Sequence, residues 1–326
     1  MASASLVSGE AAAGRPNGPS AGGNLRVLCT GIAVLDEIFR VDEFPAPGAK
    51  VQASDYLAVG GGCAANAAVA INRLGGRAQF AGPLGGPAGC EPISDRILAG
   101  LAGEGVDCAG CVRVAGAASG VSAICVNARG ERTIATFRDD RLDAVAPADA
   151  GALAAGVDAV LADNRFPNFA APICRAALRR GIPVVLDADK PARPADVLFA
   201  TCSHVVFSAE ALRATMATDD LAAALRRFGE ATNAFIAVTN GPAPVLWRDD
   251  EDVIRELPVF TVAAVDTLAA GDIFHGAFTL ALIEGCPTER ALRFAAAAAA
   301  IKCTRFGGSP GAPLRNEVET LLGAAV

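Results

Sequence analysis

The chain has 326 residues, of which 52% are hydrophobic and 19% are charged. This length can bury a large core and suggests two domains or one large α/β unit. The formal net charge of −7 and the pI of about 5.0 argue against a nucleic-acid partner. Charged residues also interrupt every apolar run before membrane-spanning length. We therefore expect a cytoplasmic globular protein that binds neither nucleic acid nor membrane.

Residues 1–24 are small and polar, without a basic start or an apolar signal core. They predict a disordered N-terminal extension rather than a secretory peptide, followed by one folded domain over 25–326. Ten cysteines are scattered along the chain, with one Cys-x-x-Cys at Cys108 and Cys111. Because no second such pair exists, we expect free thiols in a reducing compartment rather than a zinc site.

From Arg26 onward, short apolar runs alternate with amphipathic stretches. The first run, "RVLCTGIAVLDEIFRV", is rich in β-forming residues, and "GGGCAANAAVAINRLGG" predicts a glycine turn into an alanine-rich helix. Further strands are predicted at "AQFAGPL", "VDAVLADN", "IPVVLDAD", "HVVFSAE" and "FIAVTNG". Continuous Val/Ile/Leu strands between helices are typical of a parallel sheet that is covered on both faces.

Two segments have a different pattern. Residues 47–59 and 120–138 alternate apolar and polar positions, as strands with one solvated face do. They predict a small antiparallel sheet that projects from the main body and could act as a lid over a cleft. Two long helices are expected near the end of the chain, over 270–284 and 288–303.

Several polar residues stand where predicted strands end. Ligands of open α/β sheets bind beyond the carboxyl ends of the strands, so these residues predict one rim of a site. Taken singly, each is more often a cap or a turn residue. The set comprises Asp36, Asp163 to Arg165, Asp187, Asp189, Ser208 and Asn240-Gly241.

The stretch "AAGD" at 269–272 precedes a long apolar helix. Its backbone N–H groups can receive an anion, because the start of a helix carries unsatisfied donors and partial positive charge. Asp272 either caps this helix or faces a bound phosphate. In the second case it would lie close enough to take a proton from an attacking hydroxyl.

"DTLAAGDIFHGAF" at 266–278 resembles the second signature of the PfkB, or ribokinase-like, carbohydrate kinases, and "VGGGCAANAAVAINRLGG" at 59–76 resembles the first. The resemblance runs from about 26 to 322 and is closest to the sulfofructose kinase and ketohexokinase-like branch. It implies a three-layer α/β/α sandwich with a mostly parallel central sheet and a small antiparallel lid. It also implies ATP and Mg²⁺ as cofactors.

The resemblance further implies roles for individual residues. Asp272 would be the catalytic base, and Ala269, Ala270 and Gly271 would form the anion hole for the γ-phosphoryl group. Sugar hydroxyls would bind at Asp36, Gly61, Gly62 and Asn66. Nucleotide contacts would come from Thr239, Gly241, Gly307 and Gly308.

This chain departs from the family pattern in three places. Ala269 replaces the first glycine of the signature, which matters if its φ is positive. The Asn-x-x-Glu motif linked to Mg²⁺ reads Ser208-Ala209-Glu210-Ala211, so Glu210 is out of register and is a metal candidate through water at most. "LGGPAG" at 84–89, with Gly86, replaces a Gly-Asp-Asp. We expect an active enzyme that is slow or altered in its substrate.

Lys50 and Arg165 flank the predicted cleft and could meet an anionic substituent of the sugar, with Arg138 as a weaker candidate. The alternative is solvated surface charge. His275 lies one turn past Asp272 and is expected to pack rather than to catalyse.

The sequence therefore predicts a kinase for a ketose or an anionic ketose derivative, with a homodimer through the lid as its expected assembly. A nucleoside kinase and a catalytically silent sugar-binding protein stay open as alternatives. Nucleoside kinases often cover the base with apolar or aromatic lid residues, and the first alternative is disfavoured because the lid here offers Tyr56, Phe137 and little else. An oxidoreductase is not expected, because no Gly-x-Gly-x-x-Gly follows the first strand.

Overall fold

Valine, leucine and isoleucine runs form the main sheet of the computed structural model, which describes residues 25–193 and 196–324. The predicted N-terminal extension lies outside the described residues. Within them, eight strands pair in the order β14-β13-β12-β11-β10-β9-β1-β4. The six strands from β12 to β4 are parallel, and β13 and β14 run antiparallel. The strands are β1 (Arg26–Thr30), β4 (Arg77–Ala81), β9 (Ala159–Asp163), β10 (Val184–Ala188), β11 (His204–Ser208), β12 (Phe235–Asn240), β13 (Ala243–Arg248) and β14 (Ile254–Leu257).

Helices cover both faces of this sheet, because successive strand residues point to opposite sides. Val27 packs in one buried cluster with α1, α7 and α8, whereas Leu28 packs in another with α4, α5 and α6. The predicted α/β/α sandwich is confirmed. Its helices are α1 (Cys63–Arg73), α2 (Pro92–Gly103), α3 (Ala150–Leu153), α4 (Pro167–Leu178), α5 (Ala209–Met216), α6 (Leu221–Gly229), α7 (Ala270–Ile283), α8 (Thr288–Cys303) and α9 (Arg315–Ala324). Among the described residues, no helix combines the length and apolarity needed to cross a bilayer.

A second sheet forms the lid, in the order β3-β2-β7-β8. Its members are β2 (Val34–Arg40), β3 (Asp55–Gly61), β7 (Gly120–Val126) and β8 (Arg132–Phe137), while β5 (Pro83–Gly85) and β6 (Val112–Val114) form a separate pair. The β2–β7 pair is parallel and the other two pairs are antiparallel. The strand expected over 47–59 begins at Asp55, and residues 47–54 have irregular backbone.

The lid also takes a strand from the first apolar run. That run is two strands, because the chain leaves the main sheet after Thr30 and enters the lid at Val34. Asp163 fixes this crossing, since its Oδ2 accepts a hydrogen bond from the Ile32 backbone N at 2.8 Å. Asp36 therefore belongs to the lid and not to the end of a central strand.

Helices α1 and α7 pack closely because small residues face each other. A Cβ on Gly276 would lie 2.7 Å from the Ala67 carbonyl oxygen, so the position requires glycine. This contact brings the first turns of the two helices together at the carboxyl edge of the sheet.

Candidate active site

The carboxyl ends of β9, β10, β11 and β12 carry Asp163, Asp187, Ser208 and Thr239 respectively. Since these strands are parallel neighbours, the four residues follow one edge of the main sheet. The edge predicted from the sequence therefore exists. The residues on this edge have different roles. The lid and the first turns of α1 and α7 supply the rest of the site.

The helix start at "AAGD" has the geometry of an anion-binding turn. Ala269 precedes α7 with φ 64° and ψ 5°, in the left-handed region that favours glycine. Alanine in place of the family's glycine at this position therefore costs conformational free energy. Ala270 N is 3.3 Å from the Thr267 carbonyl oxygen, and Gly271 is exposed to solvent. The Ala270 N–H is therefore already used within the turn, and the backbone N–H groups of Ala269 and Gly271 are the ones available to a phosphoryl group.

Asp272 is the third residue of α7 and is partly exposed. Asn66 of α1 donates from Nδ2 to Asp272 Oδ2 over 2.7 Å. Burial raises the pKa of Asp272 above its ordinary value, the Asn66 hydrogen bond opposes this shift, and the charge of Asp189 adds to it. A carboxylate that is held on one side and has a raised pKa suits proton abstraction.

Asp36 approaches Asp272 from the lid and is 5% exposed. Burial raises its pKa to about 6, with a hydrogen bond from Ser122 lowering it and the charge of Asp272 raising it. The backbone of Gly61 lies directly against this carboxylate, since a Cβ there would be 1.8 Å from Asp36 Oδ2. Gly62 follows with φ 99° and leads into α1. Asp36, Gly61, Gly62 and Asn66 are thus adjacent, as the sequence implied.

Asp163, in contrast, has a structural role. Its carboxylate accepts hydrogen bonds from the backbone N of Ile32, Ala64 and Arg165, at 2.8, 3.1 and 3.0 Å. Burial raises its pKa to about 6. Asp163 ties β9 to the start of the lid and to the first turn of α1, so it positions the site from below.

Of the three basic candidates, Arg138 and Arg165 lie next to each other, and each is paired with a carboxylate. Arg165 pairs with Asp189, at an Nε–Oδ1 distance of 3.2 Å. Arg138 donates to the Arg165 carbonyl oxygen at 2.8 Å and pairs with Asp143. Lys50 is exposed in the irregular segment before β3. The guanidinium groups of Arg138 and Arg165 therefore already have carboxylate partners.

The residues expected to contact nucleotide lie in two places: Thr239 and Gly241 at the end of β12, and Gly307 and Gly308 against the lid strands and Leu268. Thr239 Oγ1 donates to the Phe207 carbonyl oxygen over 3.3 Å, and Gly241 begins the turn after β12 with φ 56°. Gly307 and Gly308 have φ of 104° and 63° in the loop after α8. Glu210 is exposed in the first turn of α5, which Ser208 caps by accepting from Ala211 N at 3.2 Å.

A cluster of acidic groups and one thiol was not expected from the sequence. Among the described residues, Cys63, Asp187 and Asp272 are the group of three potential ligand side chains whose atoms lie within 4.8 Å of one another, and Glu210 is not among them. Burial raises the pKa of Cys63 and of Asp187 well above their ordinary values. Asp187 Oδ1 is buried without a hydrogen-bond partner, as an oxygen awaiting a cation or a donor would be. These residues are far apart in sequence, so local patterns gave no signal.

His275 is buried and packs behind the site. Its Nδ1 lies 2.7 Å from the Gly271 carbonyl oxygen and 3.4 Å from Asp187 Oδ2, and its Nε2 lies 3.2 Å from the Val206 carbonyl oxygen. Burial lowers the pKa of His275, which favours the neutral ring. The ring thereby links α7 to β10 and β11.

Known proteins resemble this chain in sequence and in fold. Residues 24–315 match the model of the pfkB family of carbohydrate kinases. A ribokinase from Bacillus subtilis is 32% identical over 311 residues, which cover 91% of this chain and all of the relative. A crystal structure from Agrobacterium tumefaciens, provisionally assigned as a ribokinase, has 39% identity and a TM-score of 0.88, covering 93% of this chain and 99% of that one.

A fructokinase from Xylella fastidiosa, solved with bound ATP, has 28% identity and a TM-score of 0.73, covering 92% and 98% of the two chains. The family model and the Bacillus subtilis relative each span most of this chain. The chain therefore belongs to the PfkB family of carbohydrate kinases and is an ATP-using phosphotransferase that acts on a sugar hydroxyl.

Proposed function

We propose that this kinase phosphorylates a hydroxyl of a ketose or an anionic ketose derivative, with Asp272 as its general base. The observation that carries the proposal is the position of Asp272. It stands in the first turn of α7, held by Asn66 at 2.7 Å and facing the lid residue Asp36. The raised pKa of Asp272 brings the carboxylate closer in basicity to the proton it must accept.

In this proposal the sugar lies between the lid and the first turns of α1 and α7. Asp36 and Asn66 hold its hydroxyls, and the glycines at 61–62 leave room for the Asp36 carboxylate and for the chain at Ile32 beside the start of α1. The acceptor hydroxyl loses its proton to Asp272 and attacks the γ-phosphorus, the bond from that phosphorus to the β–γ bridging oxygen breaks, and ADP leaves. The N–H groups of Ala269 and Gly271 stabilise the transferred group, because they are fixed donors where negative charge develops.

The nucleotide lies against Thr239 and Gly241 at the end of β12 and against the loop that holds Gly307 and Gly308. Mg²⁺, when bound, would neutralise charge on the phosphates. The Asp187 carboxylate would suit such an ion, because hard divalent cations take carboxylate oxygens and its Oδ1 atom lacks a partner. Asp187 suits this role better than the exposed Glu210, which could act only through water.

The charges of the site bear on the substrate. Arg165 could bind an anionic substituent only while sharing its guanidinium with Asp189. The Asp36, Asp187 and Asp272 carboxylates of the site favour a polyhydroxylated substrate, with any anionic group placed toward Arg138 and Arg165, which contact each other.

A nucleoside kinase is the second candidate, and the exposed lid rings of Tyr56 and Phe137 are the observation that favours it. A silent sugar-binding protein is the third, favoured by the strained Ala269.

We also propose a homodimer through the lid, since all six residues of the edge strand β8 are exposed.

An ADP-release screen tests the function. The purified protein is assayed with ATP and Mg²⁺ against fructose, other ketoses, their phosphorylated and sulfonated forms, ribose, and adenosine. We expect the highest kcat/KM on a ketose or an anionic ketose. Turnover confined to adenosine would favour the nucleoside kinase, and thermal stabilisation by sugars without any ADP release would favour the silent protein.

A further inference from the structure

A fully buried lysine lies beneath the anion-binding turn. Lys302, in the last turn of α8, has no exposed surface, and neither has its partner Asp266. The ammonium has three oxygens around it: Asp266 O and Arg305 O at 3.0 Å, and Asp266 Oδ2 at 3.2 Å. An ammonium offers three donors, so its hydrogen-bonding capacity is filled.

The Asp266 carboxylate joins this lysine to both halves of the phosphate site. Its Oδ1 accepts from Leu268 N at 2.8 Å, one residue before the left-handed Ala269. Its Oδ2 accepts from Gly307 N at 3.0 Å, in the glycine loop after α8. One carboxylate therefore fixes the turn that opens α7 and the loop proposed to contact nucleotide.

Backbone contacts reinforce the same connection. The N–H groups of Val265 and Asp266 donate to the Cys303 carbonyl oxygen at 2.7 and 3.1 Å. Gly311 packs on the lysine stem, since a Cβ there would lie 2.8 Å from Lys302 Cδ. The ammonium is thus enclosed on all sides by the loops that it joins.

We propose that Lys302 is a positioning residue for ATP, a tethered cation that holds the Asp266 carboxylate between the anion-binding turn and the 305–308 loop. The proposal rests on the proposed function for the meaning of those two loops. Every hydrogen bond in the network ends on one of them or on the end of α8. A buried ion pair that served packing alone would not need this arrangement, because apolar residues often replace such pairs without loss.

Lys302→Ala tests the proposal, because it removes the ammonium and its buried stem and leaves a cavity that a small alkylammonium ion can enter. We expect the KM for ATP to rise at least about tenfold while the KM for the sugar changes less than about twofold. Excess methylammonium should restore most of the ATP affinity, whereas tetramethylammonium, which cannot donate hydrogen bonds, should not. Equal losses for ATP and sugar, or no difference between the two ions, would overturn the proposal.

Arg315→Met is the matched control. It removes another cation paired with a carboxylate, Glu284, which lies away from both loops. This variant should lose some stability, and its KM for ATP should stay near that of the wild type. If Arg315→Met shows the same selective rise in the KM for ATP, the effect of Lys302→Ala does not come from positioning the two loops, and the proposal is wrong.

Direct binding of ADP, measured by calorimetry, separates this proposal from the proposed function. If the wild type phosphorylates none of the sugars, the proposed function is wrong. The ADP affinities of the wild type and of Lys302→Ala would still show whether Lys302 positions the nucleotide. If Lys302→Ala does not fold, the double variant Lys302→Met with Asp266→Asn removes both charges at similar volume. It should fold and show the same weak ADP binding, and wild-type affinity in it would overturn the proposal.

Discussion

Ala269 has a strained, left-handed backbone conformation in the anion-binding turn. A non-glycine residue at φ 64° pays a steric penalty because its Cβ approaches the following carbonyl oxygen. Ala269→Gly should therefore raise the free energy of unfolding by about 1 kcal/mol. The turnover number should stay equal or increase, since the N–H groups keep their directions. Urea unfolding and steady-state kinetics check this, and a less stable variant would contradict it.

Asp36 links stability to pH. Its pKa is raised from 3.8 to about 6 in the folded protein, so the fold favours the protonated form. The free energy of unfolding should fall as pH rises from about 4 to about 6 and then stay low, by at most about 3 kcal/mol from this group. Asp36→Asn, which stays neutral, should be more stable than the wild type at pH 8 and nearly equal at pH 4.

The same variant should bind its sugar more weakly, because the carboxylate that accepts from the hydroxyls is gone. Unfolding curves at the two pH values and the KM for the sugar make the comparison. A loss of stability of equal size at both pH values would mean that Asp36 supports the fold rather than the substrate.

At the level of elements, the contact between α1 and α7 sets the distance between Asn66 and Asp272. Gly276→Ala would put a Cβ 2.7 Å from the Ala67 carbonyl oxygen, so the helices must move apart. We expect a loss of about 1–3 kcal/mol in stability, as overpacking usually costs, together with a fall in kcat. Thermal unfolding and kinetics measure both.

Gly103→Ala is the control for that variant. It also changes a helical glycine, at the end of α2, but no atom lies within 4 Å of the added Cβ. It should leave kcat unchanged and stability equal or slightly higher. A similar fall in kcat for both variants would show that the α1–α7 contact does not set the site.

The main elements could be predicted from the sequence because each carries a local signal. Continuous apolar strands between amphipathic helices indicate a covered parallel sheet, and the helices predicted over 270–284 and 288–303 match α7 and α8, although α9 after them was missed. The division of the first apolar run between two sheets was missed. It depends on the Ile32–Asp163 hydrogen bond, which joins residues 131 positions apart.

The residues of the site could likewise be predicted only where a local sequence motif marks them. Asp36, Asn66 and Asp272 lie in recognisable motifs, so their proximity was expected from the resemblance. The Lys302–Asp266 network and the Cys63–Asp187 group were not, because tertiary packing brings them together. The carboxylate partner of Arg165 is likewise a property of the neighbouring strand end.

At the scale of the whole molecule, the lid exposes an edge strand with apolar side chains. Ile134 and Phe137 of β8 are 43% and 57% exposed, and Tyr56 of β3 is 52% exposed. If two lids pair, Phe137→Asp should shift the protein from dimer to monomer, because a charge would be buried in the contact. Sedimentation velocity measures this, with Val253→Asp, exposed at 42% far from the lid strands, as the control. A monomeric wild type would refute the dimer.

The central claim is that Asp272 accepts the proton of the acceptor hydroxyl. Its most direct test is the kcat of Asp272→Asn on a sugar that the wild type phosphorylates, because asparagine keeps the shape and the Asn66 contact but cannot take the proton. The account predicts a fall in kcat of at least about 100-fold, with ATP and sugar still bound. A kcat within a few-fold of the wild type would contradict it.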